Sequence, residues 1–553
     1  MKLFDKNYKH PYAYDPKYKK RAVYFSMEFA IDQPFKIYSG GLGFLAGSHM
    51  RSAYELKQNL IGIGVLWKYG YYDQVRKGDQ SMDALFQEKI YSFLEDTNIK
   101  FTIEVHGHPV WVTAKYLAPE VFDTVPMFFL STDLPENDYL AQSICHRLYD
   151  ADQQAKIAQY ILLGVGGAKL LDELEYGAEV YHLNEAHALP AAFHLYSKYK
   201  SLDEVKKRLV FTTHTPEEAG NEKHDINLLY KLGYFCGLTV EEVKQLAGLN
   251  TSEFSHSLVA LRMSRLSNGV SALHGEVSRE MWGKYDNICP IISITNAQNR
   301  KYWADEALYR YMERNEDDKL VARKKYLKAK LFETVADQTG NLLDPDALTI
   351  VWARRFAAYK RADLITEDRE RFERIISNTD KKVQIIWAGK PYPQDLGAIS
   401  VFNHLVHLTK KYHNCTVLVG YELKLSRKLK QGADIWLNNP RVPREASGTS
   451  GMTASMNGAI NFSTDDGWIP EFANGENAFV IPRPDLSRPV FEQDEHDMNH
   501  LLDTLEHQIL PMYYDRPEEW VTMMKNSMRD VLPYFDSNRM AYQYYEKLYN
   551  GQS

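Results

Sequence analysis

Three stretches of the chain place charge or glycine where a ligand is easily held. In ARRFAAYKRADL, Arg354, Arg355, Lys360 and Arg361 cluster directly behind an apolar, strand-like run. Cations at the start of a following helix add to its positive end, which is unfavourable unless an anion is present. Phosphate binding is the expected chemistry, with a solvated basic face as the bland alternative. In REASGTSGM, Glu445 stands just before Ser447, Gly448, Thr449 and Gly451. The carboxylate can accept sugar hydroxyls, and the backbone N–H groups of the small-residue turn can serve a phosphate. An ordinary capped helix start, with Thr449 or Ser450 as N-cap, satisfies the same pattern. In YSGGLGFLAG, Gly40, Gly41 and Gly43 let the backbone approach a ligand closely, although a plain tight turn would use them equally well.

Other polar groups fall where strands are expected to end. They are Glu185 and His187 in HLNEAHAL, His214 in FTTHTPEEAGN, and Asn296 in ITNAQN. His182 and His187 lack H-E-x-x-H spacing, so no zinc or other metal site is expected. A single histidine in such a place is more often a packed, hydrogen-bonded residue than a catalyst.

The elements that must position these groups alternate in type. RAVYFSMEF, EVYHLN, RLVFTTH and CPIISITNA read as buried strands, and AKIAQYILLGVGGAKLLDEL as a helix with an apolar face. FTIEVHGHPVWVTAKYL alternates with period two and predicts an antiparallel insertion. The second half repeats the theme with ALTIVWARRF, KVQIIWAGK, CTVLVGY, ADIWLNN and AINFS, separated by helical segments. Strands alternating with helices predict mostly parallel, doubly wound sheets. Two such sets predict two Rossmann-like domains, 1–295 and 296–524, with C-terminal helices over 525–553 crossing back to the first. Ligands of such sheets sit beyond the carboxyl ends of the strands, and with two sheets a cleft between the domains is expected.

Composition narrows the class of function. A chain of 553 residues is too long for one core. Its 44% apolar and 25% charged residues are ordinary for a soluble protein. A net charge of −7 argues against a nucleic-acid partner held through phosphates. No long apolar run predicts a membrane span, and the first twenty residues lack the apolar centre of a secretory leader. Cys145, Cys236, Cys289 and Cys415 show no C-x-x-C spacing and are expected to be free thiols, which fits a cytoplasmic protein. Aromatics make up 13% of the chain and can stack on sugars, but they also fill large cores.

Taken in order, VYFSMEFAIDQPFKIYSGGLGFLAG, HLNEAHA, FTTHTPEEAG, ITNAQNRKYW, ARRFAAYKRADL, WAGKPYPQD, QGADIWLNNPRVPREASGTSGM and MKNSMRDVLPYFDSNRMAYQYY carry the chain's likeness to a known family. Over nearly its whole length it resembles the short bacterial form of the α-glucan (glycogen, maltodextrin) phosphorylases. The resemblance implies a GT-B fold and retaining transfer of glucose between an α-1,4-glucan end and inorganic phosphate, giving glucose 1-phosphate. It also implies pyridoxal phosphate (PLP), whose phosphate group exchanges a proton with the substrate phosphate, while surrounding dipoles stabilise the developing charge. Carried over by motif, Gly41 would donate a backbone N–H to substrate phosphate, and Arg355 and Lys360 would clamp it. Asn296, Glu445, Ser447, Gly448 and His187 would line the sugar site, and His274 in SNGVSALHGEV would touch the glucose. Thr449 and Gly451 would border the cofactor phosphate. A homo-oligomer is compatible with the resemblance.

The chain departs from the family pattern at two places. The pattern E-A-S-G-T-x-x-M-K ends in the lysine that carries PLP, and here the last residue is Thr453. A hydroxyl cannot form the Schiff base, so PLP at Thr453 would be held non-covalently only. Beside Asn296, the family's Asn-Gly-Val-His-like run becomes Asn296-Ala297-Gln298-Asn299. Three readings stay open. The first is a phosphorylase with non-covalent PLP, because micromolar retention needs only about 8 kcal/mol of binding. The second is a PLP-independent glycosyltransferase using a nucleotide sugar, although Thr453 also replaces the second glutamate of the E-x7-E pattern common in such enzymes. The third is a non-catalytic glucan-binding protein, which the persistence of Glu445, Arg355, Lys360, Asn296 and His274 disfavours.

Overall fold

The computed structural model describes residues 4 and 8–551. Two compact units divide them. The first holds residues through Tyr72, Phe86–Asn296, and Ser537 onward; the second holds Asp73–Leu85 and Ala297–Asp536.

The first unit is built on a nine-stranded sheet. Its strands are β1 (Ala22–Phe25), β2 (Leu60–Val65), β3 (Glu95–Val105), β4 (His108–Leu117), β5 (Met127–Ser131), β6 (Val180–Asn184), β7 (Leu209–Thr212), β8 (Leu266–Gly269) and β9 (Ile291–Ser293). The order is β9-β8-β7-β6-β1-β2-β5-β4-β3. All pairs are parallel except those of β4 with β3 and β5, where the alternating run near residue 100 forms a hairpin that extends the sheet. β1 sits at the reversal of strand order. Behind it the chain leads into α1 (Gly41–Glu55), which packs so closely that a Cβ on Gly47 would lie 1.9 Å from the Ala30 carbonyl oxygen.

The second unit carries a six-stranded, wholly parallel sheet of β10 (Leu348–Ala353), β11 (Val383–Ala388), β12 (Cys415–Leu418), β13 (Ile435–Asn438), β14 (Ile460–Thr464) and β15 (Ala478–Ile481). The order β12-β11-β10-β13-β14-β15 is that of a doubly wound dinucleotide-type sheet. Its switch point lies between β10 and β13, so the segments after those strands share the ligand edge. The long helix α3 (Asp317–Thr339) lays Leu331, Phe332 and Val335 over Val351, Ile386, Leu418 and Trp436. Leu425 and Leu429 of α4 (Leu423–Gly432) and Ala454 of α5 (Thr449–Ser455) complete that core.

The boundaries differ from the sequence expectation in three respects, the first being that Asn296 ends a segment of the first unit instead of opening the second. Residues 525–536 stay with the second unit because α6 (Pro517–Phe535) is one continuous helix, with Ser527 bonded to Ser455 of α5 at 2.9 Å. The hairpin of Asp73–Arg76 and Met82–Leu85 also belongs there, since Gln74 donates to the Gly389 carbonyl at 2.9 Å and accepts from the Gly420 N–H at 3.0 Å.

Gly389, just past β11, fixes one wall of the β10 edge. Its φ is +151°, and a Cβ there would stand 1.9 Å from the carbonyl oxygen of Arg354. Backbone cannot yield as a flexible side chain can, so Gly389→Ala is expected to cost at least about 2 kcal/mol. Urea unfolding of the full chain checks this, and a midpoint within error of wild type would refute it.

Candidate active site

In the second unit, the segments after β10 and β13 are tied together by Arg361. This residue takes a left-handed φ of 51°, and its guanidinium donates to the Asn439 carbonyl at 3.0 Å and the Pro440 carbonyl at 3.1 Å. It also pairs with Asp494 at 2.8 Å and Asp497 at 2.7 Å. Asn439 returns a bond to the Arg361 carbonyl at 2.9 Å and accepts from the Trp352 indole at 3.0 Å. Arg361 is thus an internal strut rather than a ligand-facing cation.

The strut brings opposite charges together. Glu445 Oε2 accepts from Arg354 Nη2 at 2.6 Å and from Lys360 Nζ at 2.7 Å, and all three side chains are buried or nearly so. Burial alone would raise the Glu445 pKa, but the two cations outweigh it and hold the carboxyl down at about 2. Asp466 fixes the backbone beneath, accepting from the Glu445 N–H at 2.8 Å and the Gly467 N–H at 2.9 Å. Its own pKa is pushed up to about 7, chiefly by burial. Two cations against one carboxylate leave a positive charge in excess. Among the described residues, Arg354 Nε and Nη1 and Ser447 Oγ are buried with no hydrogen-bond partner. Arg355, next to this cluster in the chain, is exposed.

Beyond Ser447 the chain turns into α5. Gly448 is the N-cap, with φ +88°, so neither Thr449 nor Ser450 caps the helix. At Gly451 the helix has no room for a side chain. A Cβ on Gly451 would lie 2.4 Å from Asn461 Oδ1 and 2.9 Å from the Trp468 ring. Thr453 is fully buried, and its hydroxyl donates back to the Ser450 carbonyl at 3.0 Å. The Asn457 amide donates to the Thr453 carbonyl at 2.8 Å and to the Trp303 carbonyl at 3.0 Å.

The first unit gathers its polar groups at the carboxyl ends of β1, β6, β7 and β8. The Glu28 carboxylate accepts from the N–H groups of Ser39 at 2.7 Å and Gly40 at 3.0 Å and from Tyr149 OH at 2.7 Å. It thereby holds the glycine turn, and a Cβ on Gly41 would meet only open space. The Tyr149 ring lies 5.9 Å from that of His187, whose pKa burial lowers to about 4. His274 and Asn296 meet around Val270. The Val270 N–H donates to His274 Nδ1 at 3.1 Å, and the Asn296 N–H donates to the Val270 carbonyl at 2.9 Å. His274 Nε2 and Asn296 Oδ1 are buried without a partner among the described residues.

Several members of these clusters escaped the sequence reading. Glu28 and Asp466 act on backbone N–H groups, which no motif announces. In the sequence Arg354 stands out only as one of four cations, although it shares the carboxylate with Lys360. His214 bonds Asn184 Oδ1 at 2.7 Å, and Glu185 takes φ 65° and accepts from the His214 N–H. Burial pushes the Glu185 carboxyl up to about 7. One group with metal-ligand proximity occurs among the described residues, Asp503, Glu506 and His507. Both of its carboxylates are already paired with Arg371.

The residues of the second unit fit the phosphate of the cofactor that the resemblance implies, because a buried positive charge and unpartnered guanidinium N–H groups call for an anion. They do not fit a covalent bond at position 453.

Two Rossmann-like doubly wound units, one with a cationic cluster at its switch point, define the GT-B class of glycosyltransferase-type enzymes. Residues 293–481 match the carbohydrate phosphorylase family. A maltodextrin phosphorylase of Thermococcus litoralis is 34% identical, over 97% of this chain and 71% of its own. A glycogen phosphorylase of Aquifex aeolicus is 30% identical over 97% and 87%. An uncharacterized protein of Methanocaldococcus jannaschii is 45% identical over 96% of this chain and its own full length. The chain belongs to the carbohydrate phosphorylase family. None of the helices among the described residues is long and apolar enough to cross a membrane.

The charge cluster makes a pH-dependent contribution to stability. Glu445 titrates lower in the folded than in the unfolded chain, so its contribution is complete above the ordinary carboxylate range and is lost as pH falls towards 2. Glu445→Gln leaves Arg354 and Lys360 buried without their carboxylate, at an expected cost of about 3 kcal/mol at pH 6. The stability gap between wild type and variant should narrow by about 2 kcal/mol on going to pH 3. Urea midpoints at the two pH values measure it, and a gap independent of pH would refute the ion pairing.

Proposed function

We propose that the chain is a retaining α-1,4-glucan phosphorylase, transferring a terminal glucose to inorganic phosphate to give glucose 1-phosphate. The observation that carries this reading is the buried Arg354–Glu445–Lys360 cluster at the switch point, with its excess positive charge and unsatisfied guanidinium donors. A site that prefers an anion at this edge suits an enzyme whose co-substrate and cofactor both carry phosphate.

In this reading Arg354 and Lys360 hold the phosphate of PLP, and Thr449 and Gly451 border it. When bound, the cofactor supplies a phosphate group able to exchange a proton with the substrate phosphate. Lys360 also serves the substrate phosphate, together with exposed Arg355; in the first unit, the Gly41 N–H is the group offered to a phosphate. Glu445 has both hydrogen-bonding cations on Oε2, which leaves Oε1 to accept a glucose hydroxyl. Ser447 and Gly448 are the sugar-contacting residues proposed in the second unit, and His187 and Asn296 those proposed in the first. His274, held by Val270, presents Nε2 as the group that touches it. Thr453 removes the usual PLP anchor and so keeps open the competing reading, a transferase using a nucleotide sugar without PLP, although the same residue replaces the glutamate typical of that class.

The assay is release of glucose 1-phosphate from maltodextrin by PLP-treated protein, with and without inorganic phosphate. Phosphate-dependent release is expected, and Lys360→Ala should lower it by 100-fold or more with an unchanged circular dichroism spectrum. No release from wild type, with turnover of a nucleotide sugar instead, would overturn the phosphorylase reading. Unchanged rates in Lys360→Ala would overturn the phosphate clamp.

A further inference from the structure

The amine that α5 lacks has a counterpart on the neighbouring helix. Lys430 lies near the end of α4 and is 1% exposed, although lysine is almost never buried so completely. Of the other lysines on α4, Lys424 is exposed and Lys428 half-buried. Lys430 Nζ stands 3.9 Å from the centre of the Trp303 ring. Trp303 is in turn bound to α5, because the Asn457 amide bridges its carbonyl to that of Thr453. α4 packs directly against α5, and the two helix ends are clamped by Lys324, which donates to the Gln431 carbonyl at 2.8 Å and the Asn457 carbonyl at 2.7 Å.

Direction matters as much as proximity. Side chains of a helix lean towards its N-terminus. α4 begins just after β12, at the carboxyl edge of the sheet; Lys430 lies in its last turn, and its side chain leans back in the direction of the edge where the Arg354–Glu445–Lys360 cluster sits. Thr453, one turn into α5, is short, and its hydroxyl is turned back onto its own helix.

We infer that Lys430, reaching from α4 past Trp303, is the covalent anchor for PLP in this chain, in place of a lysine at position 453. The inference rests on the phosphorylase reading, since it takes the cofactor from that reading. In the step itself, Lys430 Nζ attacks the aldehyde carbon of PLP, two N–H protons leave with the carbonyl oxygen as one water, and a C=N bond replaces C=O. No oxidant or reductant takes part. The attacking form must be the neutral amine. Burial, with a smaller contribution from the Arg427 charge, holds Lys430 well below the ordinary lysine range and so favours that form.

The experiment incubates the full-length protein with PLP, gel-filters it, records the absorption spectrum, then reduces it with borohydride and maps the modified peptide by mass spectrometry. The expected result is one pyridoxyl group per chain on Lys430, with an imine absorption band before reduction. Lys430→Met, of similar shape, should lose the band and retain at least about tenfold less PLP. Lys430→Met/Thr453→Lys should regain the band, with the adduct on the new lysine. Retained PLP without an imine band, or an adduct spread over exposed lysines such as Lys424, would overturn the role of Lys430 and leave the phosphorylase reading standing if glucose 1-phosphate is still released. Wild type that retains no PLP and releases no glucose 1-phosphate would overturn both. The peptide map of wild type decides the matter even if a variant does not fold.

Discussion

A single carboxylate oxygen shared by two buried cations sets the geometry of the second unit's ligand edge. Taking Arg354, Lys360 and Glu445 out of water costs several kcal/mol per ion, and attraction offsets this only when the charges are held at hydrogen-bonding distance. Everything around the cluster serves that condition. Asp466 fixes the Glu445 backbone, Arg361 joins the segments that follow β10 and β13, and Gly389 allows β11 to close against Arg354. The arithmetic of charge still leaves one cation in excess, with guanidinium N–H groups unsatisfied. In the phosphorylase reading an anionic ligand would complete the site, and its phosphate would matter more than any bond to the chain.

The same physics explains how a helix can lose its lysine without losing its place. α5 is held by contacts that do not involve residue 453's side chain: Gly451 against Asn461 and Trp468, Ser455 against Asn461 and Ser527, and Asn457 against Trp303. Thr453 satisfies its hydroxyl locally, so no polar group is left stranded. An amine delivered from α4 would come from beside the Trp303 ring. It would leave the small-residue packing of α5 intact.

Much of this arrangement was legible in the residues. β10, β11, β12 and β13 are mostly apolar runs rich in β-branched residues, and their alternation with helices announces a parallel sheet. β8, by contrast, reads Leu266-Ser267-Asn268-Gly269 and carries no such signal. Its polar side chains are buried in a network, with Ser267 bonded to the Pro290 carbonyl and Asn268 to Thr212 and the Gly269 carbonyl. The cations after β10 and the carboxylate before α5 could each be named, but their pairing could not. It depends on β10 and β13 being neighbours, which is a property of strand order and not of local sequence. Lys430 was hidden in a basic helix, LKLSRKLKQG, where only packing distinguishes the lysine that turns inward.

The most direct measurement compares the affinity of the full-length protein for pyridoxal 5′-phosphate and for pyridoxal, which has the same ring and aldehyde but no phosphate. Two charge-assisted hydrogen bonds from Arg354 and Lys360 amount to about 3 kcal/mol or more, so the phosphorylated form should bind at least about 100-fold tighter. Equal affinities would contradict a site built around an anion, whatever residue the aldehyde meets.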